Sequence, residues 1–315
     1  MPELLPPPAA DAASDAIDRY ESATALLATF APSNTSNTSG PCDQANELET
    51  AKARTFAFWA QSERYREFGQ STDTPSLDET PHRRRLAALL FGRLRVLDLA
   101  CGDGNNLPHL PAGTDYVGLD CSPVALDRLA ARDDHAAMTK RGLVGDCENL
   151  PLERGSVDAV ISTFAFEHFT DVPRILDECD RVLAPGGRLI LIGPDFAFPN
   201  NFGPPQHAEL LNRRLPLLAY AAGRLLAGAW AKLRRRERFA YVEPLPLDDA
   251  TYVPDADMTH LTDHAAIARH LTRRGYRRLV LAGSRPRPEG IRGWLHDVGL
   301  WGQNGDMLLA VEKPR

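Results

Sequence analysis

The chain has 315 residues, 43% of them hydrophobic and 25% charged, which allows one large domain or two modest ones and excludes wholesale disorder or a fibrous repeat. Thirty-six basic residues against 42 acidic ones leave a formal net charge of -6, poor steering toward a phosphate backbone, so nucleic acid is not an expected partner. Five cysteines without a C-x-x-C pair suit reduced thiols and a cytoplasmic location better than a disulfide framework.

Residues 1–44 are rich in Pro, Ala, Ser, Thr and Asn and read as a weakly ordered tail, with one short helix near 11–29. They lack the basic start and continuous apolar stretch of a secretory signal, and the sequons at Asn34 and Asn37 are accidental matches in a polar linker. Residues 45–93 read as a helical cover. Its first part, Ala45 to about Gly69, carries Phe56, Phe58 and Trp59 on a helical period.

Between Leu94 and Gly193 short β-branched runs alternate with helical stretches: LRVLDL, DYVGLD, SPVALDRLAAR, GLVGD, VDAVIS, DVPRILDECDRVL and GRLILIG. That alternation predicts an α/β fold, a doubly wound and mostly parallel sheet. Residues 263–315 supply a further helix (HAAIARHLTRRG) and two strands (YRRLVLAG and DMLLAVEKP), the last expected as an antiparallel edge. Residues 196–262 interrupt the alternation with a Leu/Ala/Arg-rich helical insertion, expected as a lid against the carboxyl edge of the sheet. Its basic 207–238 stretch could also rest on an anionic membrane surface, although Pro216 and Arg224 argue against a span.

In an open parallel sheet, ligands bind beyond the carboxyl ends of the strands. The first such loop is VLDLACGDGNN. Gly102 and Gly104 let the backbone turn tightly, and Asp98 and Asp103 place carboxylates where a pyrophosphate would need the opposite charge. Leu107 stands where a dinucleotide fingerprint asks for a third glycine or alanine, so a nicotinamide coenzyme is disfavoured. Asp120 ends the second strand and Asp146 follows the third, so three successive strands end in acids.

These segments resemble the class I S-adenosylmethionine-dependent methyltransferases, of the type 11 methyltransferase-domain family, over roughly residues 94–193. The resemblance implies seven strands, a Rossmann-like methyltransferase fold, and S-adenosyl-L-methionine as cofactor. It implies that Asp98 and the loop of Ala100, Cys101, Gly102, Asp103 and Gly104 hold the methionine end. By the same likeness Asp120 with Cys121 would meet the ribose, and Asp146 with the Cys147 amide the adenine. Thr163 and Phe164, closing the fourth strand, would line the same pocket. Cys101 reads as a compact buried thiol, not a nucleophile; Asp158, Pro185, Gly186 and Gly187 read as structural.

His168 is the candidate base for an acceptor hydroxyl. Asp195, His207, Asp255, Asp257 and His260 are further candidates, each read first as a loop or capping residue. Trp230, Trp294 and Trp301 line an acceptor pocket or fill core. No metal-ligand spacing is present. The function implied is methyl transfer to O, N or C of a small-molecule, glycan or lipid acceptor. The alternatives are an RNA-directed methyltransferase, kept open by basic runs at His82–Arg85 and Arg234–Arg238, and a non-catalytic binding module of the same fold.

Overall fold

The computed structural model describes residues 41–61, 81–133, 138–196, 239–241, 257–284, 289–291 and 306–315. The expected helix near 11–29, most of the 196–262 insertion, His207, Asp255, and Trp230, Trp294 and Trp301 lie outside the described residues.

Helix α1 covers Pro41–Gln61, starting ahead of the expected Ala45. A short helix α2 (Leu86–Leu89) leads into the sheet. Strands β1 (Arg95–Leu99), β2 (Asp115–Asp120), β3 (Thr139–Val144), β4 (Val157–Thr163) and β5 (Leu183–Pro194) run parallel. Helices α3 (Pro123–Ala131) and α4 (Val172–Val182) connect them. A two-stranded pair, β6 (Ala240–Tyr241) and β7 (His260–Leu261), precedes helix α5 (His264–Arg273). Strands β8 (Arg277–Gly283) and β9 (Asp306–Glu312) complete the seven-stranded sheet, in the order β3-β2-β1-β4-β5-β9-β8. The strand order therefore reverses between β1 and β4, and the carboxyl ends of those two strands frame the crevice where α/β sheets bind ligands.

The seven-stranded, mostly parallel α/β architecture is the one the sequence implies, with one difference in detail. The antiparallel strand β9 is not at the edge: it lies between β5 and β8 and pairs antiparallel with both, and β8 takes the edge. The burial pattern explains the placement, because β9 is buried at every position from Met307 to Val311 while Arg277 and Arg278 of β8 are exposed. A strand hidden on both faces belongs inside a sheet.

Side chains alternate across the sheet with period two. On β1, Leu97 and Leu99 face a core closed by Ile175, Leu176 and Cys179 of α4 and Ile267 and Leu271 of α5. Val96 faces the opposite core, with Tyr116, Leu126 and Leu129 of α3, and Leu86 and Leu90. Helices α3, α4 and α5 begin on Ser122, Asp171 and Asp263, whose side chains accept from the amides of Ala125, Arg174 and Ala266 at 3.3, 3.1 and 2.8 Å. Such caps satisfy amides that the first helical turn leaves without partners. Asp158 bridges Arg95 at 2.8 Å and accepts the Leu94 and Arg95 amides, a tie at the amino ends of β1 and β4, far from the crevice. The Pro185-Gly186-Gly187 turn sits within the start of β5, where the ladder with β4 shifts register and Gly186 takes φ +73°.

Candidate active site

Alternation places Asp98 on the Val96 face, directly beneath the first loop. Its carboxylate is fully buried and accepts from Asn106 Nδ2 at 3.1 and 2.9 Å and from the Tyr116 hydroxyl at 2.9 Å. Both donors are neutral, so burial dominates and pushes the carboxyl up to about 7, although these hydrogen bonds pull the other way. Asp98 thus anchors the floor of the loop through Asn106, whose amide also donates to Thr163 Oγ1 at 3.0 Å. The β1 and β4 ends are joined by that contact.

The loop itself is strained and tightly packed. Among the described residues, the non-glycine positions with positive φ are Ala100 (51°) and Phe164 (54°), one at each side of the crevice. Such backbone is costly and is held in place only by its surroundings. A Cβ on Gly104 (φ +86°) would lie 2.6 Å from Leu129 Cδ1 of α3, so a larger residue would need that side chain to shift as well as a strained backbone. Gly118 of β2 leaves the space into which Cys101 packs, since a Cβ there would lie 2.6 Å from the sulfur. Burial raises the Cys101 thiol well above its usual range, which fits its reading as inert. Asp103 Oδ1 is buried without a hydrogen-bond partner.

Asp120 accepts from the Gly102 amide through Oδ2 and from the Ser122 amide through Oδ1, both at 2.8 Å, and so ties the end of β2 to the glycine loop. Burial raises its pKa, against those amides. Asp146 accepts from the Glu148 amide at 2.9 Å, and its other oxygen lies 2.6 Å from Lys52 Nζ. Lys52 also meets Glu148 at 2.5 Å; burial alone would lower its pKa, but the two carboxylates hold it above the usual lysine value. Helix α1 therefore lies over the adenine end that the resemblance assigns to Asp146 and Cys147. Cys121 is partly exposed and Cys147 is buried.

At the end of β4, Arg83 is buried; its guanidinium stacks 5.5 Å from the Phe164 ring centroid and donates to Thr163 Oγ1 at 3.3 Å. His82 is buried as well. Half of the His82–Arg85 basic run is therefore interior, which leaves Arg84 and Arg85 as its exposed part.

His168 closes a short 3₁₀ turn, Phe166–His168, just beyond β4. Its Nδ1 lies 3.1 Å from Asp257 Oδ1, and Trp59 Nε1 of α1 donates to Asp257 Oδ2 at 2.7 Å. Burial would raise Asp257, but His168 and the Trp59 hydrogen bond outweigh it and hold the carboxyl below its ordinary value. His260 is buried with Nδ1 3.2 Å from the Phe166 carbonyl oxygen, and burial lowers its pKa to about 4; it braces the turn. Asp195 accepts the His264 amide at 3.1 Å and lies 3.3 Å from that ring's Nδ1, so it organises the start of α5. Among the described residues no group of three or more His, Cys, Asp or Glu is placed to hold a metal ion.

Residues 97–191 match the family model of the methyltransferase domain. This part of the chain is a methyltransferase domain. The match starts within β1 and ends within β5, so it spans both sides of the crevice. Relatives agree. The chain is 36% identical over 115 residues to demethylmenaquinone methyltransferase of Thermus thermophilus, covering 35% of this chain and 52% of that protein. It is 34% identical over 155 residues to the protein of that name in Renibacterium salmoninarum, covering 47% and 62%. It is 35% identical over 111 residues to phthiotriol/phenolphthiotriol dimycocerosates methyltransferase of Mycobacterium leprae, covering 34% and 40%. The chain thus spans about half the length of the curated relatives it matches.

The residues of the methyltransferase domain fit S-adenosylmethionine. An orphaned buried acceptor on Asp103, a small-residue cradle from Ala100 to Gly104 and a wall of carboxylates suit a cationic nucleoside rich in donors. Sequence reading missed Lys52, Trp59, Arg83, Asn106 and Tyr116. Trp59 and Arg83 were visible as an aromatic cluster and a basic run, but nothing local says which distant carboxylate or ring they reach.

Proposed function

We propose that the whole chain is an S-adenosylmethionine-dependent methyltransferase acting on a small-molecule, glycan or lipid acceptor. The observation that carries this reading is the strained loop Ala100–Gly104 over the buried Asp98, with Asp103 in the loop and Asp120 and Asp146 at or just past the carboxyl ends of β2 and β3, inside the segment that matches the methyltransferase domain. The relatives named for demethylmenaquinone and for phthiotriol dimycocerosates support an apolar, lipid-like acceptor. No described helix is long and apolar enough to cross a membrane, and a peripheral contact through 207–238 belongs to the proposal, as does a cytoplasmic location suggested by the free thiols of Cys101, Cys121, Cys147 and Cys179.

When bound, S-adenosylmethionine supplies a methyl group already activated by a sulfonium. The chain's own task is to align the acceptor and exclude water. Asp103 and the Ala100–Gly104 backbone would take the methionine end. Asp120 spends one acceptor direction of each oxygen on an amide and keeps the others for ribose hydroxyls. Asp146 would share its charge between Lys52 and the adenine edge. Helix α1 reaches Asp146 through Lys52 and Asp257 through Trp59, and would lie over both ends of the site.

Calorimetric titration with S-adenosylhomocysteine and with NADH tests the reading: the former binds, the latter does not. Incubation with methyl-labelled S-adenosylmethionine and an extract of the source cells should then yield a labelled small molecule. Binding without any label transfer would favour a non-catalytic module; label in RNA would favour the RNA-directed reading.

A further inference from the structure

We propose that Asp257 and Trp59 hold His168 as a general base, and that the acceptor accordingly presents an alcohol or phenol hydroxyl that loses its proton as it is methylated. This rests on the methyltransferase reading above and names its acceptor class.

The three residues come from separate parts of the chain: Trp59 from α1, His168 from the turn after β4, Asp257 from the segment leading into β7. Asp257 Oδ1 and His168 Nδ1 lie 3.1 Å apart without hydrogen-bond alignment, and so close a charge contact is attractive only if Nδ1 carries a proton. A neutral ring in that state keeps its lone pair on Nε2, the basic form. Trp59, donating to the other carboxylate oxygen at 2.7 Å, stops Asp257 from rotating away. The acid's side chain is 1% exposed and the imidazole 23% exposed, so the base can be reached while the residue that orients it cannot. Burial chiefly raises the Cys121 thiol just past β2, and Asp257 is among the charges that add to it.

Among the described residues, Glu167, Asp257 and His260 agree with this assignment. Glu167 Oε1, from the same turn, lies 4.0 Å from Nε2 and favours a proton once it arrives there. Asp257 faces Nδ1 from the segment before β7, and His260, neutral near pH 7, backs the turn through the Phe166 carbonyl. Aromatic amines attack through an existing lone pair, aliphatic ammonium groups can lose their proton to solvent before binding, and thiols ionise near neutrality unaided. A hydroxyl, with a pKa of roughly 10 or more, is the acceptor that gains most from a base.

The step balances. The acceptor O–H proton moves to His168 Nε2 while an oxygen lone pair forms the new O–C bond. The C–S bond of the sulfonium donor breaks and its electron pair stays on sulfur, leaving a neutral thioether. The positive charge passes to the imidazolium, paired with Asp257, which returns the proton to solvent.

The test uses the full chain with labelled histidine, saturated with S-adenosylhomocysteine, and reads the His168 ring nitrogens by NMR. The expected neutral form is Nδ1–H; in Asp257→Asn the ring's pKa should fall by about one unit or more. An Nε2–H tautomer in the parent, or a ring unmoved by Asp257→Asn, overturns the proposal. Calorimetry with S-adenosylhomocysteine runs alongside, serving as a check of folding for each variant. If the parent does not bind it, the methyltransferase reading fails; if it binds and the ring is in the wrong state, only the inference fails. Label transfer to extract metabolites supplies the kinetic arm. His168→Ala should lose about 100-fold or more, partly restored by added imidazole, and Asp257→Asn about 10-fold with its acid limb displaced. Transfer at the parental rate by His168→Ala, or label found only on nitrogen or carbon, counts against it.

Discussion

Each half of the crevice is built around a buried aspartate, and the two ionise in opposite ways. On the side proposed for the cofactor, Asp98 is hydrogen-bonded by neutral donors, Asn106 and Tyr116, and burial lifts its carboxyl to about 7 although Arg83 also pulls it down. On the side proposed for the acceptor, Asp257 faces an imidazole and an indole N–H, and its carboxyl falls below the ordinary value despite similar burial. Burial alone therefore does not decide whether an interior carboxylate is charged; how strongly its neighbours offset the lost hydration does. Asp98 holds a loop in shape, whereas Asp257 holds a charge in place.

The strongest way to break this contrast is Asp98→Ala. It leaves the Tyr116 hydroxyl buried without its acceptor and the Asn106 amide with Thr163 alone, and should cost about 3 kcal/mol in denaturant unfolding and weaken S-adenosylhomocysteine binding at least about 100-fold by calorimetry. A variant that bound like the parent would remove Asp98 from the cofactor half. Gly104→Ala should cost about 2 kcal/mol, because it adds both backbone strain and a clash with Leu129. The NMR spectrum of the His168 ring should stay parental in that variant, since the acceptor half does not share the loop.

Titration sharpens the contrast further. Asp98 is raised to about 7, so the folded chain holds a proton there that the unfolded chain releases near 4. Its stabilisation is complete below pH 4 and lost as pH rises through 7, at roughly 1 kcal/mol per pH unit. Unfolding measured from pH 5 to 8 should show that slope in the parent and a flatter one in Asp98→Asn. Asp257 runs the other way: its folded pKa is lowered, so its stabilisation is present above about 4 and is lost as pH falls through the folded value. The smallest effect is expected of Lys52→Met, below about 1 kcal/mol, because Asp146 is partly solvated and Glu148 also accepts from Thr170; S-adenosylhomocysteine should dissociate faster by stopped-flow as α1 loses one of its holds.

What the sequence made legible follows the same division. The cofactor half is written in consecutive residues: Asp98 to Gly104 in one loop, Asp120 and Asp146 each at the end of its own strand. Period-two and helical patterns locate those ends, so the acids could be found without knowing the sheet. The acceptor half is written in pieces. Trp59 and Asp257 are 198 positions apart, and no local pattern tells a tryptophan in an aromatic cluster that its N–H meets a distant carboxylate. Burial of β9 between β5 and β8 escaped for a related reason: an apolar run says a strand is hidden but not which neighbours hide it. Arg83 shows the converse error, a basic run that suggested an exposed surface although one guanidinium lies inside over Phe164.

The placement of β9 has a bearing on how the chain is made. Strands β1 to β5 can zip together while synthesis is under way, but β8, emerging afterwards, has its hydrogen-bonding partner only in residues 306–312. On a ribosome adding roughly 5–20 residues each second, β8 waits with bare backbone groups until that last strand slides in beside β5. A nascent chain stalled before residue 306 would therefore carry two unzipped edges, β5 and β8, which is where chaperones should be found on it.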